Sequence, residues 1–358
     1  MPSADQVTGH APETAILLDH VNQASDGRAL ADMASRMGRL MLKLQERKTG
    51  AAEIALAVSR VGRAVTDRLL ALAERDLGPP PVAYAFIVAG SQARGEQIAG
   101  SDQDNGLILS NDYREDHHGS YFEQLADQVC SGLAEAGYRR CPGDIMAINP
   151  RWRRPLADWR GRFAQWIERA DPDALLKVSI FFDLRCIRGE AGLLDQLREE
   201  VLGMTRSSTL FQPRLAAAAL GFRPALGWFG RLRFHRDGDK QTMDLKRHGI
   251  TPVVDLARVH ALALGEAALS TRKRLKLATS ANLISGDDAD RLIDAFDHVG
   301  GIRIAHQCRR IRDGEHPDYQ LRADEIDQRD RKALKRSLAT IRDAQQAMAR
   351  RYHAEAFR

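Results

Sequence analysis

The stretch that most restricts the fold is 83–109. An apolar run rich in β-formers, Tyr84-Ala85-Phe86-Ile87-Val88-Ala89, stops at Gly90-Ser91; ten residues intervene; then Asp102-Gln103-Asp104 opens a second apolar run. This pattern predicts strand, glycine-containing turn, strand. Side chains two apart on an extended chain share a face, so Asp102 and Asp104 project together while Gln103 points away. Adjacent carboxylates repel unless a positive charge lies between them, and a hard divalent cation such as Mg2+ is the usual answer. Gly90 permits close approach of the backbone, a segment starting at Ser91 offers amides and a hydroxyl to a phosphate, and Arg94 adds a fixed positive charge. Together these parts suit a nucleoside triphosphate with its metal. Asp-x-Asp and Gly-Ser are each common in surface turns, so the weight rests on their combination at this spacing.

The segment Gly90-Ser91-x-x-Arg94-Gly95-Glu96-Gln97, followed by Ser101-Asp102-Gln103-Asp104-Asn105, resembles the nucleotidyltransferase superfamily that includes DNA polymerase β. More closely, it resembles the nucleotidyltransferase family of bacterial signalling proteins, which is similar in turn to the uridylyltransferase that modifies the nitrogen regulator PII. The resemblance implies an α+β fold: a small mixed sheet of the polymerase-β-like type flanked by helices, with an N-terminal helical segment over 1–76, a nucleotidyltransferase domain over 77–205 and a C-terminal helical, substrate-binding bundle over 206–358. It implies Asp102 and Asp104 as catalytic metal ligands, two Mg2+ ions (or Mn2+), and Gly90, Ser91 and Arg94 on the triphosphate. In that family the N-terminal segment follows CBS or cyclic-nucleotide sensor modules, for which 358 residues leave no room.

The run over 177–188, Lys-Val-Ser-Ile-Phe-Phe-Asp-Leu-Arg-Cys-Ile-Arg, predicts a further strand with Asp183 inside it. A lone carboxylate there costs several kcal/mol unless paired or metal-bound, and Arg185 on the same face is the structural alternative. The resemblance implies that Asp183 is the third catalytic carboxylate.

The remaining chain reads as mostly helical. Apolar residues three or four apart run from 14 to 76, ending at Leu77-Gly78-Pro79-Pro80-Pro81; 121–138 is amphipathic, and 141–147 reads as a turn and short strand. Trp152, Trp159 and Trp166 recur every seven residues among arginines. Nucleic-acid stacking would need such aromatics exposed, whereas helical spacing turns them to a core, the reading favoured here. From 190 onward helices are predicted to the end, among them 213–234, one starting at Thr251-Pro252, one capped by Ser285, and a charged one over 327–355. Matches to the family at Asp244-Leu245-Lys246, at Asp255-Leu256-Ala257-Arg258 and at Arg303-Ile304-Ala305-His306-Gln307 imply Lys246, Arg258, Arg303 and His306 near nucleotide or acceptor. An Asp255–Arg258 ion pair or a solvated helix face is the plainer account of these residues.

A net charge of +5 favours anionic ligands without requiring nucleic acid. Cys130, Cys141, Cys186 and Cys308 have no Cys-x-x-Cys pairing, so neither zinc site nor disulfide framework is indicated, and a reducing cytoplasm is the default. Residues 1–12 read as disordered by composition, the N-terminus lacks a secretory pattern, and no apolar stretch approaches the ~20 residues of a membrane span. The partners expected are therefore an NTP and a protein acceptor, with no membrane. A small-molecule acceptor and a non-catalytic nucleotide-sensing module are the competing readings. Oligomeric state is not legible, and no P-loop or dinucleotide fingerprint is present.

Overall fold

The computed structural model describes residues 12–227, 230–237 and 240–357; the stretch 1–11 of the segment expected to be disordered lies outside them. The chain opens with helices α1 (Pro12–Gln23), α2 (Met33–Glu46) and α3 (Ala51–Leu77). The last stops where Gly78 adopts φ +85 ahead of the proline run.

β1 (Tyr84–Ala89) is wholly buried and central in a four-stranded sheet of order β3-β2-β1-β4. It pairs antiparallel with β2 (Asn105–Leu109), Tyr84 opposite Leu109, and with β4 (Leu184–Gly189), while β3 (Arg153–Pro155) runs parallel to β2. The run is apolar throughout because both faces are covered. Tyr84, Phe86 and Val88 join one core with α3 and α5 (Glu115–Glu135). Ala85, Ile87 and Ala89 join another with α6 (Leu156–Arg169) and α8 (Ala191–Ser207). α4 (Gly90–Arg94) is the short helix leaving β1. Trp152 and Trp159 are buried and stacked, and the Trp159 Nε1–H donates to the Leu107 carbonyl at 3.0 Å, as the core reading of the tryptophans requires.

The C-terminal half contains α9 (Phe211–Ala219), α10 (Thr251–Leu264), α11 (Thr271–Ser280), α12 (Gly286–Arg312) and α13 (Gln328–Arg351). The predicted start at Ser285 is observed, its hydroxyl accepting from the Asp288 N–H; Thr251 opens α10 but does not cap it, because a π turn over Lys246–Ile250 runs straight into the helix. α12 serves both cores: Ile304 and Cys308 pack with the N-terminal helices, Leu292 and Val299 with α10 and α13. No helix among the described residues is long and apolar enough to cross a membrane.

Four expectations need correction. The helical reading from 190 onward missed an antiparallel sheet of β5 (His235–Asp237), β6 (Lys240–Asp244) and β7 (Gln320–Arg322), whose strands are too short and polar to show a period. The helix expected over 213–234 ends at Ala219. No strand forms over 141–147, which is a succession of turns. The strand expected over 177–188 begins only at Leu184: Asp171 caps α7 (Pro172–Val178) by accepting from the Ala174 N–H at 2.8 Å, and a 3-10 turn, Ser179–Phe182, follows. A continuous apolar run cannot distinguish buried helix from buried strand, and here the cap decides.

Candidate active site

The end of β1 is flanked by two acids. The Ala89 N–H donates to the Asp104 carbonyl at 2.8 Å and the Gly90 N–H to the Asp183 carbonyl at 3.0 Å. Gly90 takes φ +61 to turn into α4; a Cβ there would lie 2.9 Å from Ile180 and 3.7 Å from Asp104 Oδ2, so the corner admits only glycine. Its close approach is thus to Ile180, with Asp104 next nearest.

β2 starts at Asn105, so Asp102 and Asp104 lie in the extended stretch just before it, Asp102 in an isolated bridge with Arg139. The predicted alternation is present. Gln103 is buried, its Nε2 donating to the carbonyls of Cys130 (3.1 Å) and Tyr138 (3.0 Å), and Asn105 Oδ1 accepts from the Ala147 N–H at 2.7 Å. These two inward amides fix the outward direction of Asp104 between them, and Gln103 that of Asp102 before it. Asp102 Oδ1 lies 3.2 Å from Arg139 Nη2. The Asp104 carboxyl is pushed up to about 6, chiefly by burial and further by the Asp102 charge, against the pull of Cys141, Lys246 and Arg94.

Asp183 is different. It is wholly buried, and its carboxylate meets three guanidinium groups: Arg94 Nη1 at 2.6 Å, Arg258 Nη2 at 2.6 Å and Nε at 3.2 Å, and Arg274 Nη2 at 2.6 Å. Burial works against its charge, but Arg258, Arg274 and Arg94 hold its carboxyl well below the usual carboxylate range. Arg258 also pairs with Asp255, and Arg94 with Glu96 at 2.7 Å, whose other oxygen accepts from the Thr271 N–H at 2.8 Å. Three cations and three anions therefore form one closed network joining the α4 turn, the start of β4, α10 and α11.

Where the sequence reading has Asp183 share a cation with Asp102 and Asp104, the structure gives its carboxylate three guanidinium partners. Among the described residues no group of three metal-capable side chains assembles, because guanidinium groups surround Asp183. Arg185 is not its partner either, since its Nε donates to the Ala93 carbonyl at 3.0 Å. Two carboxylates suit a hard ion that completes its shell with phosphate oxygens and water, as Mg2+ commonly does.

The other expected residues divide. Arg94 and Arg258 are committed to the network. Lys246 lies within electrostatic reach of Asp104, its Nζ 4.9 Å from the centre of the Tyr319 ring. Ser91 is part-exposed at the start of α4. His306 is buried between Asp318 and Glu325, each at 2.8 Å, and Arg310 contacts Glu315 and Asp318; both brace the fold. Sequence reasoning missed Arg274 and Tyr319. Tyr319 donates to the Gly100 carbonyl at 3.2 Å, and Gln307 donates to that of Ala99 at 3.0 Å, so the C-terminal half clasps the loop leading into Asp102. No local signal marks either residue.

A short mixed sheet with an acid pair beside a Gly-Ser corner, covered by helices, is consistent with the polymerase-β-like nucleotidyltransferase fold. The family described as "Putative nucleotidyltransferase DUF294" matches residues 35–173, and "Putative nucleotidyltransferase substrate binding domain" matches 209–352. The chain belongs to this family. No curated protein matches it.

Proposed function

We propose that the protein transfers a nucleoside monophosphate from an NTP to an acceptor hydroxyl. The hydroxyl gives up its proton to solvent water as its oxygen forms a bond to the α-phosphorus, the bond from that phosphorus to the bridging oxygen breaks, and pyrophosphate leaves with the electron pair. The observation that carries this reading is the shared outward direction of Asp102 and Asp104, enforced by the buried amides of Gln103 and Asn105. Asp102 and Asp104 would hold Mg2+, which supplies charge neutralisation at the phosphates and a more acidic nucleophile. Ser91 is the phosphate-side hydroxyl, and Lys246, on the far side of Asp104, offsets leaving-group charge. Asp183 serves as the anchor that keeps Arg94, Arg258 and Arg274 in place. A protein hydroxyl is the favoured acceptor, because the C-terminal half reaches the loop before Asp102 and so covers the site with a macromolecule-sized surface; the setting is bacterial signalling in the cytoplasm.

One observation favours a second reading, a nucleotide-sensing module without turnover: the Asp183 carboxylate is engaged by three arginines. The test is incubation with each α-labelled NTP, Mg2+ and cell extract. Label on a protein with pyrophosphate release is expected; label on a small molecule would change the acceptor, and nucleotide binding without release would establish the sensing module. Asp104→Asn should reduce transfer by more than the ~10–100-fold typical of losing a group that only orients a metal ligand.

A further inference from the structure

A cavity of about 610 Å3 is walled by the start of α3, the loop after α4, the edge strand β4, α8, the α10–α11 connection and α12. Asp102, Asp104 and Ser91 are not among its lining residues, whereas Arg94 and Glu96 are. The volume falls in the range that small organic ligands occupy.

Its cations are unequal. Arg94 is neutralised by Asp183 and Glu96, Arg272 by Asp297, and Arg198 by Asp195. Arg303 is 7% exposed, and no ion pair or hydrogen bond to it occurs among the described residues; its Nε is buried without a partner, and its one contact of note is the Tyr319 ring, 5.4 Å from its Cζ. Glu96 and Asp244 act on it only at a distance, with no ion pair formed; a guanidinium taken out of water without a paired anion is costly, and an aromatic face returns only part of that cost. Lys273, exposed on α11, lines the same cavity. The rest of the wall is largely apolar, with Leu56, Ile250, Leu269 and Phe296.

We infer that this cavity is a second ligand site, for a phosphate monoester of a planar organic body of nucleoside size, with the phosphate on Arg303 and Lys273 and the body against Phe296 and Leu269. A dianionic phosphate matches two cations, and the apolar wall gives a ring somewhere to leave water. Occupancy would reach the transfer site through Arg94, which lines the cavity and also holds Asp183. The site does not depend on the transfer reading, because its cation is Arg303 and not a metal held by Asp102 and Asp104.

The probe is AMP, titrated calorimetrically into the full chain in EDTA, with adenosine and inorganic phosphate as separate arms. One AMP should bind per chain, more tightly than either fragment. Arg303→Met should weaken it by ~10–100-fold, the worth of a charge-assisted hydrogen bond, while Asp104→Asn binds as the parent does. Ala52→Trp, which fills the cavity from α3 and leaves Arg303 in place, should also abolish binding and keeps the test decisive if Arg303→Met does not fold. Absence of AMP binding, binding lost in Asp104→Asn but kept in Arg303→Met, or binding unaffected by Ala52→Trp would each overturn the proposal. Because no divalent ion is present, none of these failures bears on nucleotidyl transfer.

Discussion

Asp104 and Asp183 flank the same strand end, each giving its carbonyl to one of two consecutive amides at residues 89 and 90, yet their carboxylates live in opposite surroundings. Asp104 is part-exposed with another acid as its neighbour, and its proton is held up to about 6 by burial and by Asp102. Asp183 is sealed among three guanidinium groups that hold its proton off. An acid short of positive charge has affinity left for a cation; one supplied with three has none. Position beside the strand end therefore does not assign a role, and the charge around each group does.

The strongest way to break this contrast is Asp183→Asn. Removing one member of a buried, hydrogen-bonded ion network strands its partners, at a cost of ~3–5 kcal/mol, so urea unfolding should show a large loss of stability. Asp104→Asn, which removes a desolvated charge facing another acid, should leave stability unchanged or raised. If Asp183→Asn proved as stable as the parent and lost Mg2+ affinity instead, Asp183 would be a ligand after all and the two acids would be alike.

A pH titration sharpens the same comparison with a smaller effect. The low Asp183 proton affinity contributes stability above its unfolded value near 3.9 that is lost only as pH falls below it. His260 is buried and accepts from or donates to Tyr352 Oη at 2.9 Å; burial, then Arg351, brings it down to about 4 from 6.5. Its stability is present above 6.5 and disappears as pH falls from there through about 4, because the unfolded chain takes the proton first. Asp104, raised to about 6, gains stability over the same window as pH falls and offsets this loss in the parent, so the reading is the difference between parent and His260→Phe, which should change by ~3 kcal/mol between pH 6.5 and 4. A parent-minus-variant difference that stayed constant across this window would mean that His260 does not carry the loss.

What the sequence disclosed follows from how local each cause is. The strand over 84–89, the outward pair at 102 and 104, and the helix start at 285 are written in neighbouring residues, and they were legible. The setting of Asp183 was not, because its guanidinium partners lie 89 residues before it (Arg94) and 75 residues after it (Arg258), with Arg274 on a helix for which no signal was noted. Arg185, two residues on, looked like the natural partner and turned to a backbone carbonyl instead. The short strands of β5, β6 and β7 were invisible for the complementary reason: at three to five residues they pair across the fold without a repeat of their own.

The smallest effect concerns the seam between the two acids' surroundings. Tyr319 lies within 4.9 Å of Lys246 Nζ and 5.4 Å of Arg303 Cζ, so one ring touches a cation on the Asp104 side and another lining the cavity. Its hydroxyl also holds the Gly100 carbonyl at 3.2 Å. Tyr319→Phe keeps the ring and gives up the hydroxyl; Tyr319→Leu gives up both. The first should cost ~1 kcal/mol for a part-exposed hydrogen bond, and the second a further ~0.5–1 kcal/mol for each cation contact. Because Lys246 faces Asp104 and Arg303 does not, the Leu variant should raise KM for NTP through Lys246 and weaken AMP in EDTA through Arg303, with the Phe variant sparing both. Equal losses in Phe and Leu would locate the effect in the Gly100 contact, making the loop before Asp102, and not the shared ring, the link between the two sites.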